Sequence, residues 1–361
     1  MNFTQKLNEK FIFFLAMLVF ILSCKEKQAG EKTNSNKKIE FKEAQKILSE
    51  NSYVLNENFP KGDVRRYGIF PDSAYTNTHP VSKKSKITTV LDMAEANKIE
   101  LFFPKGYYKT ALLLDSRKNI QLRFDKAEFD LVHITQISKN HKKPENIELK
   151  GELIIYDRLG ITEATNIKID TVYLKSDIEK SIRSMRSRGC HIYHGCKKIK
   201  IKYLSIDDFG SGDNRYKNNH ASLAVDGWKN NPENLHIQKL YIKSSDRHGI
   251  YLTGSNHKID EIIIDQFGVG SSEGMTPMQD ASVVEHQLFS AIWINRCYNS
   301  TIGDITINSK NSDGYFTTNF DEGDSLNPVT IRQLTVNNFD RTLPVRFAKN
   351  TGVIVEKIIK K

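Results

Sequence analysis

The sequence predicts an all-β protein that folds as a single-stranded, right-handed parallel β-helix with a short helical cap at its N-terminus. Segments of alternating apolar and polar residues recur along the chain, and each is followed by a turn and a second, longer alternating segment. The recurring segments begin at residues 192, 223, 250, 292, 316 and 345. A period-two repeat of this length indicates one coil per repeat, stacked on the coil before it. A β-propeller would need four strands in each repeat, whereas these segments supply two or three.

The N-terminus has the pattern of an export signal. Lys6 and Lys10 precede an uncharged apolar run over residues 11–22, which has the length of a signal-peptide core. The run is followed by Ser and Cys, and this ending resembles the lipobox of bacterial lipoproteins, in which the cysteine is lipidated. We therefore expect a signal peptide over residues 1–23 and a lipid anchor at Cys24, which would hold the protein at the outer membrane or cell surface. A periplasmic orientation and an ordinary signal peptide that contains a cysteine are the alternatives.

The rest of the chain divides into a tether and one elongated domain. Residues 24–39 hold almost no large apolar side chain and cannot bury enough surface to fold, so we expect a disordered tether there. The β-helix domain is predicted over residues 40–361. Its cap would be a short amphipathic helix at 40–50, and a second helix is predicted at 88–98 with Thr88 or Thr89 as its N-cap.

Three cysteines remain after Cys24 in the predicted mature chain. Their odd number and irregular spacing argue against a disulfide framework. We expect Cys190, Cys196 and Cys297 to be buried as small apolar groups.

Two elements near the start of the domain carry a family resemblance. Gly-Asp-Val-Arg-Arg-Tyr-Gly occupies residues 62–68, and Leu-Phe-Phe-Pro-Lys-Gly-Tyr-Tyr occupies 101–108, after the predicted helix and before short alternating strands. This order resembles the opening of the pectate-lyase-like superfamily, which includes polysaccharide lyases, polygalacturonase-type hydrolases and phage tailspikes. The resemblance covers about residues 60–361 and implies a parallel β-helix that acts on carbohydrate. The lipobox argues against a tailspike.

The repeat register predicts a binding strip on one outer face. If Ile192, Leu223, Ile250, Ile292 and Val345 point inward, their neighbours point outward from the same sheet. One outward column then reads Tyr193, Ala224, Tyr251, Trp293 and Arg346, and the next reads Gly195, Asp226, Thr253, Asn295 and Ala348. The predicted substrate-binding residues are Tyr193, Tyr251, Trp293, Asn295, Arg296 and Arg346. Packing of the aromatic rings under loops and structural ion pairing of the arginines are the alternative interpretations.

Ionisable residues cluster where the chain enters this predicted strip. The candidate catalytic residues are His220, Asp226, Arg247, His248, Glu285 and His286. Long segments at 209–221 and 267–290 leave the regular coil on either side, and such loops commonly build binding clefts. A lyase acting on a uronic acid neutralises the carboxylate, removes the C5 proton and protonates the leaving oxygen. Arg247 would be the neutraliser, with His248 or His286 as the base.

Two other functions compete with the lyase hypothesis. A glycoside hydrolase needs paired carboxylates, and the pair at 207–208 followed by His248-Gly249 partly resembles the polygalacturonase pattern. Residue 247 is Arg where that family has Gly, and the Asn-Thr-Asp and Arg-Ile-Lys motifs are absent. The third hypothesis is a non-catalytic protein that holds glycans on its aromatic strip.

The expected partners follow from charge and from the resemblance. The net charge of +10 is compatible with an acidic polysaccharide, a nucleic acid or a membrane surface as the partner, and solvation of outward faces by the lysines is the alternative. The resemblance favours the acidic polysaccharide as the substrate. We expect a monomer that contacts the membrane through Cys24 and has no nucleic-acid partner. Calcium is the one candidate cofactor, with Asp207, Asp208 and Asp213 as hard oxygen ligands. Turn formation by the same aspartates is the alternative.

Overall fold

The structure is a computed structural model, and its description covers most of the predicted domain. The described residues are 49–72, 77–175, 185–207, 216–269, 289–310, 312 and 314–361, with backbone alone for 185–188 and 216–220. They belong to one compact unit, Ile47–Lys361. The predicted signal peptide, the tether and Cys24 lie outside the described residues, as does all but the end of the predicted helix at 40–50.

Most of the described chain forms short strands that pair in parallel. The strands β1 to β21 are, in chain order, Leu101–Phe103, Gly106–Tyr107, Ala111–Leu113, Lys118–Phe129, Leu131–Thr135, Glu145–Ile155, Arg158–Thr162, Thr165–Lys175, Met185–Tyr193, Lys197–Asp207, Tyr216–Asp226, Glu233–Ser244, His248–Ser255, Lys258–Ile264, Ser290–Tyr298, Ser300–Asn308, Phe316–Phe320, Val329–Asn337, Val345–Phe347, Val353–Val355 and Ile358–Lys360.

These strands form two stacks, which we call the front sheet and the back sheet. The front sheet consists of the odd-numbered strands from β3 to β19, each paired in parallel with the next. The back sheet consists of the even-numbered strands from β4 to β18, with β1 and β2 at one end and β20 and β21 at the other. One front strand and one back strand make a coil, so the predicted all-β parallel β-helix is confirmed.

Aliphatic side chains fill the space between the two sheets. In the front sheet Leu223, Ile250 and Ile292 lie beside one another on successive coils, and all three are fully buried. Parallel coils bury both their apolar side chains and their backbone hydrogen bonds, which explains the abundance of Ile, Leu and Val. The three cysteines Cys190, Cys196 and Cys297 are buried free thiols, as predicted.

A helix packs against the first coil. Helix α1 spans Lys86–Asn97, and its side chains Val90, Leu91 and Met93 join the hydrophobic core. It begins two residues earlier than predicted, because the side chain of Ser85 accepts the Thr88 N–H at 3.1 Å and so is the N-cap. The assignment of Thr88 or Thr89 as the cap was therefore wrong. Two 3₁₀ turns precede the helix, Glu50–Tyr53 and Val64–Tyr67. Across the described residues, no helix is long and apolar enough to cross a membrane.

Candidate functional site

The outer face of the front sheet carries a continuous row of side chains, which we call the central column. The row runs along successive coils through Leu113, His133, Gly160, His191, Ala224, Tyr251, Trp293, Asn319 and Arg346. Stacked strands lie about 4.8 Å apart. Aromatic and ionisable groups therefore follow one another along the axis of the β-helix.

The predicted register of one strand was wrong by two residues. Ala224 lies beside His191, whereas Tyr193 lies beside Asp226 and belongs to the next outward column. Strands β9 and β11 pair through a register shift between Asn218 and Leu223. A slip of two leaves every side chain on its original face, so alternation of apolar and polar residues cannot detect it.

One end of the central column brings together a cation, two imidazoles and a phenol. We call this group the upstream cluster, and it consists of His133, Arg158, His191 and Tyr193. The Nη2 of Arg158 donates to Nε2 of His133 at 2.7 Å. Because a guanidinium only donates, the Nε2 of His133 must be an acceptor, and the ring is neutral with its proton on Nδ1. Burial lowers the pKa of His133, and the nearby charge of Arg158 lowers it further.

A glycine makes room for this contact. Gly160 occupies the central column between His133 and His191, and the His133 ring lies over it. A Cβ added to Gly160 would lie 2.8 Å from the Cδ2 atom of His133. The missing side chain is therefore what allows the imidazole to reach Arg158, which begins the same strand.

His191 and Tyr193 lie one coil further along. Their rings stack at 5.1 Å with an angle of 20° between the planes, and His191 is only 3% exposed. Burial lowers the pKa of Arg158, whereas the Tyr193 phenol and the Asp157 carboxyl act in the opposite direction. The sequence prediction included Tyr193 and missed the other three members of the upstream cluster. His133 and Arg158 lie on β5 and β7, which precede the repeats used for the prediction, and His191 was displaced from the predicted column by the slip on β9.

Two buried aspartates precede the strands that carry this cluster. Asp130 comes directly before β5 and Asp157 directly before β7, and the Asp157 N–H donates to the Asp130 carbonyl oxygen at 2.7 Å. The hydroxyl of Tyr107 donates to the Asp130 carboxylate. Burial raises the pKa of Tyr107, and so does this hydrogen bond. The upstream end of the front sheet thus also holds two buried acidic residues on adjacent coils.

A second group surrounds Tyr251 and Trp293 of the central column, and we call it the downstream cluster. It consists of His248, Tyr251, Trp293, Asn295 and Arg296. The Trp293 ring lies 4.8 Å from that of Tyr251 and 5.1 Å from that of His248. The Nδ2 of Asn295 lies 3.4 Å from the Tyr251 hydroxyl. Burial raises the pKa of Tyr251, while hydrogen bonds from Asn295 and Arg296 oppose the change. A neutral phenol at this position is a hydrogen-bond donor at neutral pH.

Three of the six predicted catalytic residues have side chains within the described part of the chain. His248 is 5% exposed, its Nδ1 accepts the Ser290 N–H at 3.1 Å, and its ring contacts Phe289. Arg247 is half-buried, and its carbonyl oxygen accepts the Gly268 N–H at 2.9 Å. The Asp226 carboxylate accepts the N–H groups of the following turn at 2.7 and 3.2 Å. Glu285, His286 and the side chain of His220 lie outside the described residues, so the expected convergence of all six remains a prediction.

The candidate calcium ligands are only partly described. The Asp207 carboxylate pairs with Lys243 Nζ at 2.7 Å and accepts from the Ser244 hydroxyl at 3.2 Å. Asp208 and Asp213 lie outside the described residues. Within the described ranges, no group of three or more His, Cys, Asp or Glu side chains is arranged to hold a metal ion. Calcium binding remains a prediction.

Arg346 at the far end of the central column is held by neighbours. Its Nη1 donates to the Asn319 side chain and lies 3.7 Å from the Asp321 carboxylate. Its guanidinium also lies over the Phe316 ring, 5.3 Å from the ring centre. These contacts agree with the structural ion pairing that was the alternative interpretation of this residue.

Comparisons with known proteins add no further assignment. No protein-family description, no curated protein and no solved structure matches this chain. The functional argument therefore depends on the geometry of the two clusters.

Proposed function

We propose that this protein is a polysaccharide lyase that cleaves an acidic, uronate-containing polysaccharide by β-elimination on the outer face of the front sheet. The observation that carries this proposal is the upstream cluster, in which the half-buried Arg158 contacts a neutral imidazole and lies one coil from His191 and Tyr193. A cation, a base and a proton donor are the groups that β-elimination requires. The cluster replaces Arg247 and His248 as the preferred catalytic centre.

Each member of the upstream cluster has a distinct proposed role. Arg158 binds and neutralises the uronate carboxylate through its planar fork. His191 takes the C5 proton, a C4–C5 double bond forms, and the C4–O bond breaks. Tyr193 donates its proton to the departing oxygen. His133 is a positioning residue, because its neutral Nε2 accepts from Arg158 and holds the guanidinium in place.

The partial burial of Arg158 also supports β-elimination. Burial removes water from around Arg158, and an electrostatic interaction is stronger where water is excluded. Removing a C5 proton is difficult unless the carboxylate charge is neutralised, so a cation with few competing waters is suited to the task. The expected export of the chain as a lipoprotein anchored at Cys24 would bring this surface to extracellular glycans.

A glycoside hydrolase is the second candidate, and one observation favours it. Asp130 and Asp157 are buried on adjacent coils next to the upstream cluster. Hydrolysis uses two carboxyl groups, one protonated and one ionised. A non-catalytic glycan-binding protein is the third candidate, which the ring pair of Tyr251 and Trp293 favours.

Purified protein assayed against alginate, pectin, a glycosaminoglycan and sulfated algal galactans distinguishes the three candidates. A lyase produces an unsaturated uronate, which absorbs in the ultraviolet, together with new reducing ends. A hydrolase produces reducing ends without that absorbance. Binding of a polymer without either product would identify a glycan-binding protein and would reject both enzymatic proposals.

A further inference from the structure

We propose that Arg296 binds a second anionic group of the same polysaccharide chain, four coils from Arg158, and thereby makes the protein selective for long polyanionic chains. This inference rests on the proposed function, since it assigns a substrate contact to the same outer face. It concerns Arg296 and Asn295 of the downstream cluster.

The backbone at Arg296 forms part of a bulge in the front sheet. Its φ is +48°, in the left-handed region that non-glycine residues seldom adopt. The pairing between β13 and β15 shifts register just before this point, after Leu252, and the Arg296 N–H donates to the Glu322 carbonyl oxygen at 2.6 Å. Register shifts re-aim side chains on a sheet, so this bulge determines the direction of the Arg296 side chain.

Six of the other described arginines are paired with carboxylates. Arg65, Arg66, Arg117, Arg123, Arg332 and Arg346 each lie within 4.0 Å of a carboxylate oxygen. Arg296 is half-buried and forms no such ion pair within the part of the chain that is described. Its Nε is buried and has no acceptor there. Removing a charge from water without a counter-ion is unfavourable, and an anionic ligand would supply that counter-ion.

The neighbouring side chain, Asn295, also has a buried polar atom with no partner among the described residues. Asn295 is about nine-tenths buried, and its Nδ2 is directed to the Tyr251 hydroxyl. Its Oδ1 is buried with no donor among the described residues. Buried side-chain oxygens are hydrogen-bonded in the large majority of cases. A sugar hydroxyl beside the bound anion would provide the missing donor.

The spacing between the two arginines determines what kind of ligand reaches both. Arg158 belongs to β7 and Arg296 to β15, which are four steps apart in the front sheet. At about 4.8 Å per step, the two residues are about 19 Å apart along the axis. A single uronate sugar cannot span this distance. A chain of several acidic sugars can contact both cations, so affinity should increase with chain length.

The test compares Arg296→Gln with Arg332→Gln across oligogalacturonides and oligomannuronates of increasing length. Arg332 is a suitable control because it is exposed on the back sheet and pairs with Asp304 at 2.6 Å. We expect Arg296→Gln to raise KM about tenfold or more for long oligomers, to leave KM for the shortest cleaved oligomer unchanged, and to leave kcat nearly unchanged. Arg296→Lys, which keeps the charge, should restore part of the lost affinity.

Two outcomes would overturn the inference. One is an equal increase in KM at every length, and the other is wild-type KM in Arg296→Gln for the longest oligomers. If no oligomer is cleaved, the proposed lyase activity fails, and dissociation constants from calorimetry on the same series test Arg296 independently. A length-dependent loss of binding in Arg296→Gln alone would then support the anion site without the reaction.

Discussion

The outer faces of the front and back sheets are built from the same kind of alternating strand, yet they carry opposite kinds of side chain. The back face presents solvent-accessible ion pairs between neighbouring coils, such as Arg332 with Asp304 at 2.6 Å and Lys239 with Glu261 at 2.8 Å. The front face presents imidazoles and aromatic rings that are almost fully covered, such as His191 and Tyr251. Exposed ion pairs keep a surface soluble and contribute little stability. Covered polar rings on an outer face do not serve to solvate it, and this contrast is why we propose that the front face binds the ligand.

The largest expected contrast between the two faces is in activity. Arg158→Ala on the front face should lower kcat/KM by about 10²–10³-fold, because the developing charge on the substrate loses its cationic partner. Arg332→Ala on the back face should leave kcat/KM unchanged. The rate of formation of the unsaturated product, normalised to folded protein, measures both.

Arg158→Lys distinguishes a defect in catalysis from a defect in folding. It keeps the charge and removes the fork that contacts His133, so we expect reduced activity and an unfolding temperature near that of the wild type. Wild-type activity in Arg158→Ala would show that the upstream cluster is not the catalytic centre.

The next largest effect concerns histidines and pH. His257 is buried, accepts the Leu235 N–H on Nδ1, and has Nε2 at 2.9 Å from the Thr253 carbonyl oxygen. Burial lowers its pKa to about 4. The unfolded chain, with an ordinary histidine pKa of about 6.5, binds more protons between these values. Stability from His257 is therefore fully present above about pH 6.5 and is lost as the pH falls toward 4, by up to about 3 kcal/mol.

His236, which is only partly buried, is the matched control for His257. It pairs with Asp260 at 3.0 Å on the back face. Urea unfolding at pH 7 and pH 5 should show a smaller pH dependence for His257→Gln than for the wild type. His236→Gln should leave the difference contributed by His257 in place. An unchanged pH dependence in His257→Gln would contradict the assignment.

A smaller effect is expected inside the front sheet. Thr318 points into the core between Ile292 and Val345, and its hydroxyl is buried with no hydrogen-bond partner among the described residues. Thr318→Val should stabilise the protein by about 1–2 kcal/mol, because it removes an unsatisfied polar atom without changing the shape. The adjacent Thr317 donates to the Leu343 carbonyl oxygen at 2.6 Å, so Thr317→Val should destabilise. Chemical denaturation measures both, and the same sign for the two variants would refute the argument.

The smallest effect is expected on the back face. Glu261→Gln removes the ion pair with Lys239, whose two side chains are 41% and 42% exposed. The free energy of unfolding should change by less than about 1 kcal/mol, and the change should decrease further at high salt. A larger destabilisation would mean that the back face contributes more than solubility.

Much of the fold could be predicted from the sequence because alternation of apolar and polar residues directly reports which side chains face the core. The strands that begin near 250, 292, 316 and 345 lie where the pattern predicted them. The register between neighbouring coils was harder to predict from the sequence. A two-residue slip of Tyr193 relative to Ala224 keeps it on the outer face, so no apolar pattern opposes the wrong pairing.

The candidate site was harder to predict than the fold for a related reason. Strands β5 and β7 have five residues each, and their outward members His133 and Gly160 do not form an aromatic pattern. The contact that joins His133 to Arg158 depends on the absence of a side chain at Gly160. A missing side chain gives no positive signal in a single sequence. The downstream rings Tyr251 and Trp293 were found because they lie at the same position of consecutive, longer repeats.

Because the step between coils is constant, the number of coils sets the distance between two sites on the front sheet. Arg158 and Arg296 are each held by contacts within their own and adjacent coils, while their separation depends on how many coils lie between them. Inserting one coil into that interval would lengthen the separation by about 4.8 Å and would leave both sites intact. Under the proposed function, duplication or loss of a repeat would change the length of polysaccharide chain that is recognised by one coil spacing at a time. The residues of both sites would stay the same.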